Sequence, residues 1–244
     1  MPSISKVALV TGSGKRLGRQ IAAALAENGF AVAVHYYKSG EGARRLERSI
    51  RAKWGSSIAV KADVSKRAQV VRMVEKVMEA FGRIDVLVNN AAVFEKGSLQ
   101  DVTEDQWNAI MDINLKGPFL CSQAVAPYML KEKRGQIINI VSLGGLQAWS
   151  EHLAYSVSKA GAIMLTRCIA KALAPHIRVN AVAPGTIILK GEEDPTVKHL
   201  PRKNILLKKF GRPADITDMV VFLATRADYI TGQVFAVDGG RSIQ

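Results

Sequence analysis

Short apolar runs rich in valine and isoleucine recur along the chain and predict seven β-strands. The runs are nearly continuous in apolar residues, which favours parallel strands that are covered on both faces. The predicted strands are Val7–Val10, Ala31–His35, Ile58–Lys61, Ile84–Val88, Gln136–Val141, Ile177–Val182 and Gln233–Val237.

Segments with the apolar spacing of helices lie between these strands. Leu17 to Asn28 is followed by Gly29, and Ala68 to Phe81 is followed by Gly82, a residue type that commonly ends a helix. Thr103 is a suitable N-cap for a third helix, which has acidic residues in its first turn. The alternation predicts an α/β fold of one domain over residues 1–244, with a Rossmann-type, doubly wound, seven-stranded parallel sheet and helices on both faces.

The stretch from residue 185 to residue 209 shows neither pattern. It contains Gly191, Pro195 and Pro201 among mixed charges. In a doubly wound sheet, ligands bind beyond the carboxyl ends of the strands. We therefore interpret this stretch as a lid over the substrate.

Composition narrows the possible classes of protein. No apolar run approaches the roughly 18 residues that cross a bilayer, and the N-terminus lacks the order of a secretion signal. The chain is expected to be cytoplasmic, with no membrane partner. Cys121 and Cys168 lie in predicted helices without a CxxC pair, so we expect no metal site and interpret both as small buried residues.

The chain carries a formal net charge of +13, from 34 lysines and arginines against 21 acids. Such an excess can indicate nucleic-acid binding, an anionic cofactor or an acidic partner. The basic residues are scattered rather than gathered in one block, which is typical of a solvated surface. We expect no nucleic-acid partner and keep a nucleic-acid binder as a distant alternative.

A glycine-rich turn, Thr11 to Gly18, follows the first predicted strand and opens the first helix. In this setting backbone N–H groups and a helix N-terminus can bind a phosphate, and glycines let the pyrophosphate approach closely. Leu17 stands where the third glycine of the common fingerprint would fall. The candidate cofactor residues here are Gly12, Ser13, Lys15, Arg16, Leu17 and Gly18.

The end of the second strand predicts which nicotinamide cofactor is bound. Enzymes that use NAD usually have an acid there for the ribose 2′-hydroxyl, and no acid occurs between Phe30 and Gly40. Lys38, Ser39 and Arg16 can instead bind a 2′-phosphate. This pattern favours NADP(H) over NAD(H), with His35 as a further candidate at the strand end.

Two more candidate segments follow the third and fourth strands. Asp63 and Val64 lie where adenine is expected, and the Asp63 carboxylate can accept from the adenine amino group. Asn90, Ala91 and Ala92 follow the fourth strand, and the small Ala91 allows close approach of the cofactor. Asn90 either contacts the cofactor or only ties strands together.

Tyr155 and Lys159 are four residues apart in a predicted helix and therefore share one face. An ammonium beside a phenol lowers the pKa of the phenol towards neutrality, which suits a general acid. Ser142 closes the fifth predicted strand and places a hydroxyl at the carboxyl edge of the sheet. Asn114 lies within a predicted helix over Asp105–Leu120, where asparagine is unfavourable without a specific role.

Together these motifs resemble the short-chain dehydrogenase/reductase family over essentially the whole chain. The resemblance implies an oxidoreductase with a tetrad of Asn114, Ser142, Tyr155 and Lys159. It implies that Ser142 orients the substrate oxygen, Tyr155 donates the proton, Lys159 binds the nicotinamide ribose and lowers the tyrosine pKa, and Asn114 holds a relay water. It also implies a homotetramer, and it places Pro184, Gly185 and Thr186 beside the nicotinamide, with Asp238-Gly239-Gly240 completing the motifs.

The substrate remains open at this stage. Phe94 and Leu189, with the Lys15-Arg16-Leu17-Gly18 turn, are similar to pteridine reductases, in which an aromatic side chain stacks on the pterin. Those enzymes carry an acid where this chain has Ser142, and Ser142 suits a carbonyl oxygen. We therefore retain a pteridine-like compound, a 3-oxoacyl group on an acyl carrier protein, or another carbonyl. A non-catalytic nucleotide sensor is a distant alternative, because such a protein would normally lack Tyr155 or Lys159.

Overall fold

The computed structural model describes residues 6–189 and 202–243. Seven parallel strands form one sheet in the order β3-β2-β1-β4-β5-β6-β7, which confirms the predicted fold. All seven predicted strands are present, with bounds that shift by up to two residues. The strands are β1 (Val7–Val10), β2 (Ala31–Tyr36), β3 (Ser57–Lys61), β4 (Val86–Asn89), β5 (Gly135–Ile140), β6 (Ile177–Pro184) and β7 (Val234–Val237).

Helices cover both faces of this sheet. Their bounds are α1 (Arg16–Glu27), α2 (Gly40–Lys53), α3 (Arg67–Phe81), α4 (Glu104–Met111), α5 (Gly117–Lys131), α6 (Leu153–Leu173) and α7 (Pro213–Thr225). Helices α1, α2 and α7 pack one apolar layer against the sheet, and α3, α5 and α6 pack the other. Gly29 and Gly82 follow α1 and α3 with φ of 85° and 73°, so both act as the expected left-handed helix stops.

The predicted helix over Asp105–Leu120 is not one regular α-helix. It begins as predicted, with Thr103 as N-cap in a capping box with Gln106. A π turn at Asp112–Lys116 then separates α4 from α5. Turns of this kind are frequent at functional sites, and this one contains Asn114.

The order of the strands reverses between β1 and β4, which lie side by side at the centre of the sheet. Loops that leave the carboxyl ends of strands on either side of this point enclose a crevice, the usual ligand site of such sheets. Of the predicted lid, residues 190–201 lie outside the described residues. Residues 185–189 and 202–209 lie at the carboxyl end of β6 and beside the C-terminus.

The sequence also led to expectations about membrane-spanning helices, metal-ligand clusters and the burial of the two cysteines. In the described part of the chain, no helix has the length and apolarity to cross a membrane, and no three His, Cys, Asp or Glu side chains gather as metal ligands. Cys121 is buried, and burial raises the pKa of its thiol to about 12. Cys168 is exposed on α6, so the prediction that both cysteines are buried is wrong for Cys168.

Candidate active site

The glycine-rich turn begins directly after β1 and lies close to the chain that leaves β4. Gly12 has φ of 66°, and a Cβ placed there would lie 2.8 Å from the Cα of Ala91. Gly14 is packed against Ser39, and Gly18 is packed against the carbonyl of Gly12. A Cβ at any of these positions would collide with neighbouring protein atoms, so the tight turn requires glycine, and its backbone N–H groups can hold a pyrophosphate.

Two predicted cofactor residues, Ser13 and Asn90, hold this turn in place through side-chain hydrogen bonds. The Ser13 hydroxyl donates to the carbonyl of Val10 at 2.8 Å and is fully buried. The side-chain amide of Asn90 donates to the carbonyls of Thr11 and Gly12 at 2.9 and 3.2 Å. The Asn90 side chain therefore ties the end of β4 to the turn after β1, which is one of the two roles considered for it.

His35 has a supporting role that differs from the predicted cofactor contact. Its ring is 2% exposed, and its Nδ1 accepts from the backbone N–H of Gly12 at 2.9 Å. Its Nε2 lies 2.9 Å from the carbonyl of Ala62, so the ring is neutral with its proton on Nε2. Burial lowers the pKa of His35 to about 4. The side chain thus links the ends of β1, β2 and β3 beneath the turn. Since both ring nitrogens are used in these bonds, neither remains free for a ligand.

The carboxyl ends of β2 and β3 present the groups expected to face adenosine. Lys15, Arg16 and Lys38 are exposed at this end, and Ser39 is half-buried beside Gly14. The carboxylate of Asp63 accepts from the backbone N–H and hydroxyl of Ser65 at 2.9 and 2.7 Å, which fixes its direction. Leu17, Ala91 and Ala92 are partly or fully exposed near the turn, and Val64 is buried against Gly117.

Arg44 is a basic residue at this end that the sequence interpretation missed. One of its guanidinium nitrogens lies 3.4 Å from the Tyr36 hydroxyl, and the guanidinium carbon lies 6.0 Å from the Tyr36 ring centroid. The arginine therefore reaches back along α2 to the end of β2. The available signal was a basic pair, Arg44 and Arg45, near the start of the helix that follows β2.

Ser142, Tyr155 and Lys159 lie together at the carboxyl end of β5, as the sequence predicts. The Ser142 hydroxyl accepts from the backbone N–H of Gly144 at 3.0 Å and lies close enough to the Tyr155 side chain to lower the pKa of its phenol. Lys159 is 3% exposed, and its Nζ donates to the carbonyl of Ile140 at 2.9 Å. That Nζ lies 5.8 Å from the centroid of the Tyr155 ring.

The ionisation of this group differs from the prediction. Burial raises the pKa of Tyr155, an effect that the nearby Ser142 hydroxyl only partly offsets, whereas a pKa near neutrality was expected. The physical reason is that burial destabilises the phenolate by more free energy than the Lys159 ammonium, 5.8 Å from the ring centroid, restores. Burial also lowers the pKa of Lys159 to about 8. At neutral pH the pair is therefore a phenol and mainly an ammonium.

Asn114 lies in the π turn and is 1% exposed. Its side chain bonds both ways with the backbone of Val93, accepting from the N–H and donating to the carbonyl, each at 2.9 Å. Its amide also donates to the hydroxyl of Ser158 at 3.1 Å, and Ser158 in turn donates to the carbonyl of Tyr155 at 2.7 Å. Asn114 thus connects the loop after β4 to the helix that carries Tyr155.

Four aromatic rings form a wall at the mouth of this site. Phe94, predicted as a substrate residue, is 56% exposed and stacks on His152 with centroids 4.3 Å apart. Phe94 also meets Tyr155 edge-on at 4.7 Å, and Trp149 lies parallel to Tyr155 at 6.4 Å. Trp149 and His152 were not predicted, because aromatic residues in a loop carry no periodic signal.

The segment after β6 lines the side of the candidate site opposite the aromatic wall. Gly185 is packed against Asp238, and the Thr186 hydroxyl accepts from the Arg241 guanidinium at 3.0 Å. Pro184 is the last residue of β6. Leu189, predicted to touch substrate, is 8% exposed and lies beside the bridge between Ile187 and Gly211.

Known proteins share this architecture. The family described as "Enoyl-(Acyl carrier protein) reductase" matches residues 12–242. The chain is 42% identical over 241 residues to the 3-oxoacyl-[acyl-carrier-protein] reductase of Staphylococcus epidermidis, with 97% of this chain and 99% of that protein covered. It is 41% identical over 243 residues to the reductase of that name from Synechocystis, with 97% and 96% covered.

Solved structures of dehydrogenases also share this fold. A putative short-chain alcohol dehydrogenase from Sinorhizobium meliloti has a TM-score of 0.91 at 34% identity, with 98% of this chain and 97% of that chain covered. A gluconate 5-dehydrogenase from Burkholderia cenocepacia, in complex with NADP and tartrate, has a TM-score of 0.91 at 31% identity, with 98% and 96% covered. The chain therefore belongs to the short-chain dehydrogenase/reductase family and is an oxidoreductase that uses a nicotinamide cofactor.

Proposed function

We propose that this protein reduces a carbonyl group to an alcohol with NADPH, and that Tyr155 donates the proton. The observation that carries the proposal is that the Ser142 and Tyr155 side chains lie together beside the buried Lys159, at the sheet edge that also holds the glycine-rich turn. When bound, the nicotinamide supplies the hydride.

The chain's own groups account for the remaining chemistry. The Ser142 and Tyr155 hydroxyls can both donate to one substrate oxygen, which polarises the carbonyl and fixes its orientation. Because its pKa is raised, Tyr155 holds its proton at neutral pH and gives it up when negative charge develops on that oxygen. The Lys159 ammonium stabilises the phenolate left behind and lies where the ribose hydroxyls of the cofactor are expected. Asn114 holds the helix of Tyr155 against the loop after β4, and we retain the proposal that this region carries a relay water.

For the substrate, a 3-oxoacyl group on an acyl carrier protein has the best support, because relatives 41–42% identical over nearly the whole chain bear that name. A pteridine-like compound is the second candidate. Phe94 favours it, since this ring is exposed edge-on to Tyr155 and offers a flat apolar surface. Ser142 favours the first, since a serine hydroxyl suits a carbonyl oxygen.

A substrate panel tests the function. Oxidation of NADPH would be followed with acetoacetyl-coenzyme A, a few diketones and a dihydrobiopterin-type pterin. We expect turnover of the ketones. Turnover of the pterin alone would favour the second candidate, and no turnover of any compound would contradict the proposal.

Preference for NADPH over NADH is part of the same proposal. Lys38 and Arg44 lie at the end of β2, where no acid occurs, and a homologous structure contains NADP. We expect Arg44→Gln to weaken NADPH binding by about tenfold and to leave NADH binding nearly unchanged, because only NADPH carries the 2′-phosphate. Fluorescence titration of both cofactors gives the two dissociation constants.

Arg45→Gln is the matched control for this change. Arg45 is the next residue on the same helix, but its guanidinium pairs with Glu41 at 2.9 Å. The Arg45 variant loses the same charge, but the Arg45 side chain does not contact the end of β2. Equal losses in both variants, or equal losses for both cofactors, would contradict direct contact between Arg44 and the 2′-phosphate.

We further propose that the protein is a homotetramer, as the family resemblance implies. Support comes from an apolar face on α5 and α6 where Phe119 and Met164 are 41% and 54% exposed, beside Leu115 and Cys168. The edge strand β7 offers a second self-pairing surface. A cytoplasmic location and the lack of a nucleic-acid partner stay predictions of the sequence.

A further inference from the structure

Arg241 lies at the edge of the candidate active site, in the short 3₁₀ turn Arg241–Ile243 that follows β7. Its guanidinium carbon lies 5.7 Å from the centroid of the Trp149 ring, which also lies beside the rings of Tyr155 and His152. One guanidinium nitrogen donates to the Thr186 hydroxyl at 3.0 Å. The arginine therefore spans the two loops, after β5 and after β6, between which a substrate must enter.

The backbone around Arg241 is also fixed. Its carbonyl accepts from the side-chain amide of Gln147 at 3.1 Å, and the Asp238 carboxylate holds the turn by accepting from the backbone N–H groups of Gly240 and Ser242. Asp238 is thereby used by the backbone rather than by the guanidinium. The Arg241 side chain is half-buried, so it loses little further conformational entropy when a ligand binds.

Among the residues that the structure describes, no carboxylate lies within ion-pair distance of Arg241. Other arginines of the chain do have such partners, for example Arg83 with Asp85 and Arg212 with Asp215. An arginine offers five N–H donors in a planar fork that matches a carboxylate. Thr186 takes one of these donors, and an aromatic face covers one side of the fork without neutralising its charge.

From this geometry we infer that Arg241 is a specificity-determining residue that binds an anionic group, a carboxylate on the carbonyl substrate itself. The substrate class is then a small oxo acid, oriented with its carbonyl at Ser142 and Tyr155 and its carboxylate at Arg241, beside the Trp149 ring. This inference rests on the proposed carbonyl reduction, but it names a free oxo acid as the substrate in place of the 3-oxoacyl thioester that the named relatives favour. It favours free oxo acids over neutral carbonyl compounds of the same size.

The test compares a matched pair of substrates, acetoacetate and its neutral methyl ester, each with NADPH. For the unchanged protein we expect a higher kcat/KM with acetoacetate. Arg241→Gln should lower kcat/KM for acetoacetate by about 10- to 100-fold, mainly through KM, and change the value for the ester less than about threefold, because a charge-assisted bond is lost only with the acid. Arg241→Lys should restore part of the loss, since it keeps the charge without the fork.

Arg212→Gln is the control for a general change in charge. Arg212 lies beside Gly211, which bonds to the backbone of Thr186, but its guanidinium bonds to Asp215. This variant should leave the ratio between acid and ester unchanged. An equal loss for both substrates in Arg241→Gln, or the same shift in ratio in Arg212→Gln, would overturn the inference.

Binding of malonate, an unreactive dicarboxylate, separates this inference from the proposed function. Calorimetric titration of malonate into the protein loaded with NADP⁺ needs no turnover. We expect malonate to bind and Arg241→Gln to weaken it by at least about tenfold. If no carbonyl compound is reduced while malonate binding depends on Arg241, the proposed function fails and the anion site stands. If the ester is reduced and malonate does not bind, the anion site fails alone.

Discussion

Replacing Tyr155 with phenylalanine is expected to lower kcat by about 10³- to 10⁴-fold while leaving the dissociation constant of NADPH within about twofold. The change removes one oxygen and keeps the ring that contacts Phe94 and Trp149, so the aromatic wall stays in place. It deletes the proton donor and one of two hydroxyls that face the substrate oxygen. Steady-state rates and a fluorescence titration with NADPH measure the two quantities separately.

Ser142→Ala is the companion variant. It leaves the proton donor present but removes the second hydroxyl that faces the substrate oxygen, so a smaller loss, about 10²-fold, is expected. Because the Ser142 hydroxyl lowers the pKa of Tyr155, the alanine variant should also need a higher pH to form the phenolate required for alcohol oxidation. Normal turnover by Tyr155→Phe would remove the phenol from the mechanism.

The second large effect is expected for Gly12→Ala, which should weaken NADPH binding by at least about 100-fold. Two costs act at this position. A φ of 66° is strained for alanine, and the new Cβ would lie 2.8 Å from the backbone Cα of Ala91, which cannot rotate away. The turn or the chain after β4 must move, and both line the expected pyrophosphate site. Titration with NADPH and urea unfolding measure affinity and stability.

Gly29→Ala separates the two costs. Gly29 also has a positive φ, 85°, but a Cβ there has no neighbour within 4 Å. This variant should lose about 1 kcal/mol of unfolding free energy and keep its affinity for NADPH. An equal loss of affinity in both variants would mean that the close approach of Gly12 and Ala91 is unimportant for the cofactor.

The fold could be predicted from the sequence because its signals are local. Apolar runs such as Val7–Val10 and the alternation with amphipathic helices determine a doubly wound sheet, and glycines after α1 and α3 mark helix ends as expected. The tyrosine and lysine of α6 share a face because of helical geometry alone. These features depend on spacing, which a sequence displays directly.

Other features depend on where loops meet in space. Trp149, His152 and Arg241 come from loops and a terminus, and the contact of Arg241 with Trp149 joins residues far apart in the chain. The pKa of Tyr155 was predicted in the wrong direction because spacing shows a neighbouring charge but not the loss of water around the phenol. For His35, position alone could not show that its ring bonds beneath the turn rather than to the ligand.

The buried ring of His35 also makes the protein sensitive to acid. Its pKa is about 4 in the folded chain, against 6.5 for the ordinary side chain, so the unfolded chain binds a proton first as the pH falls. The free energy of unfolding should therefore decrease between pH 6.5 and about 4, by roughly 3 kcal/mol from this residue. Urea unfolding at pH 7 and pH 5 measures the slope, which should be shallower in His35→Gln. A proton on Nδ1 would also displace the N–H of Gly12, so acidification should release the dinucleotide as it loosens the fold.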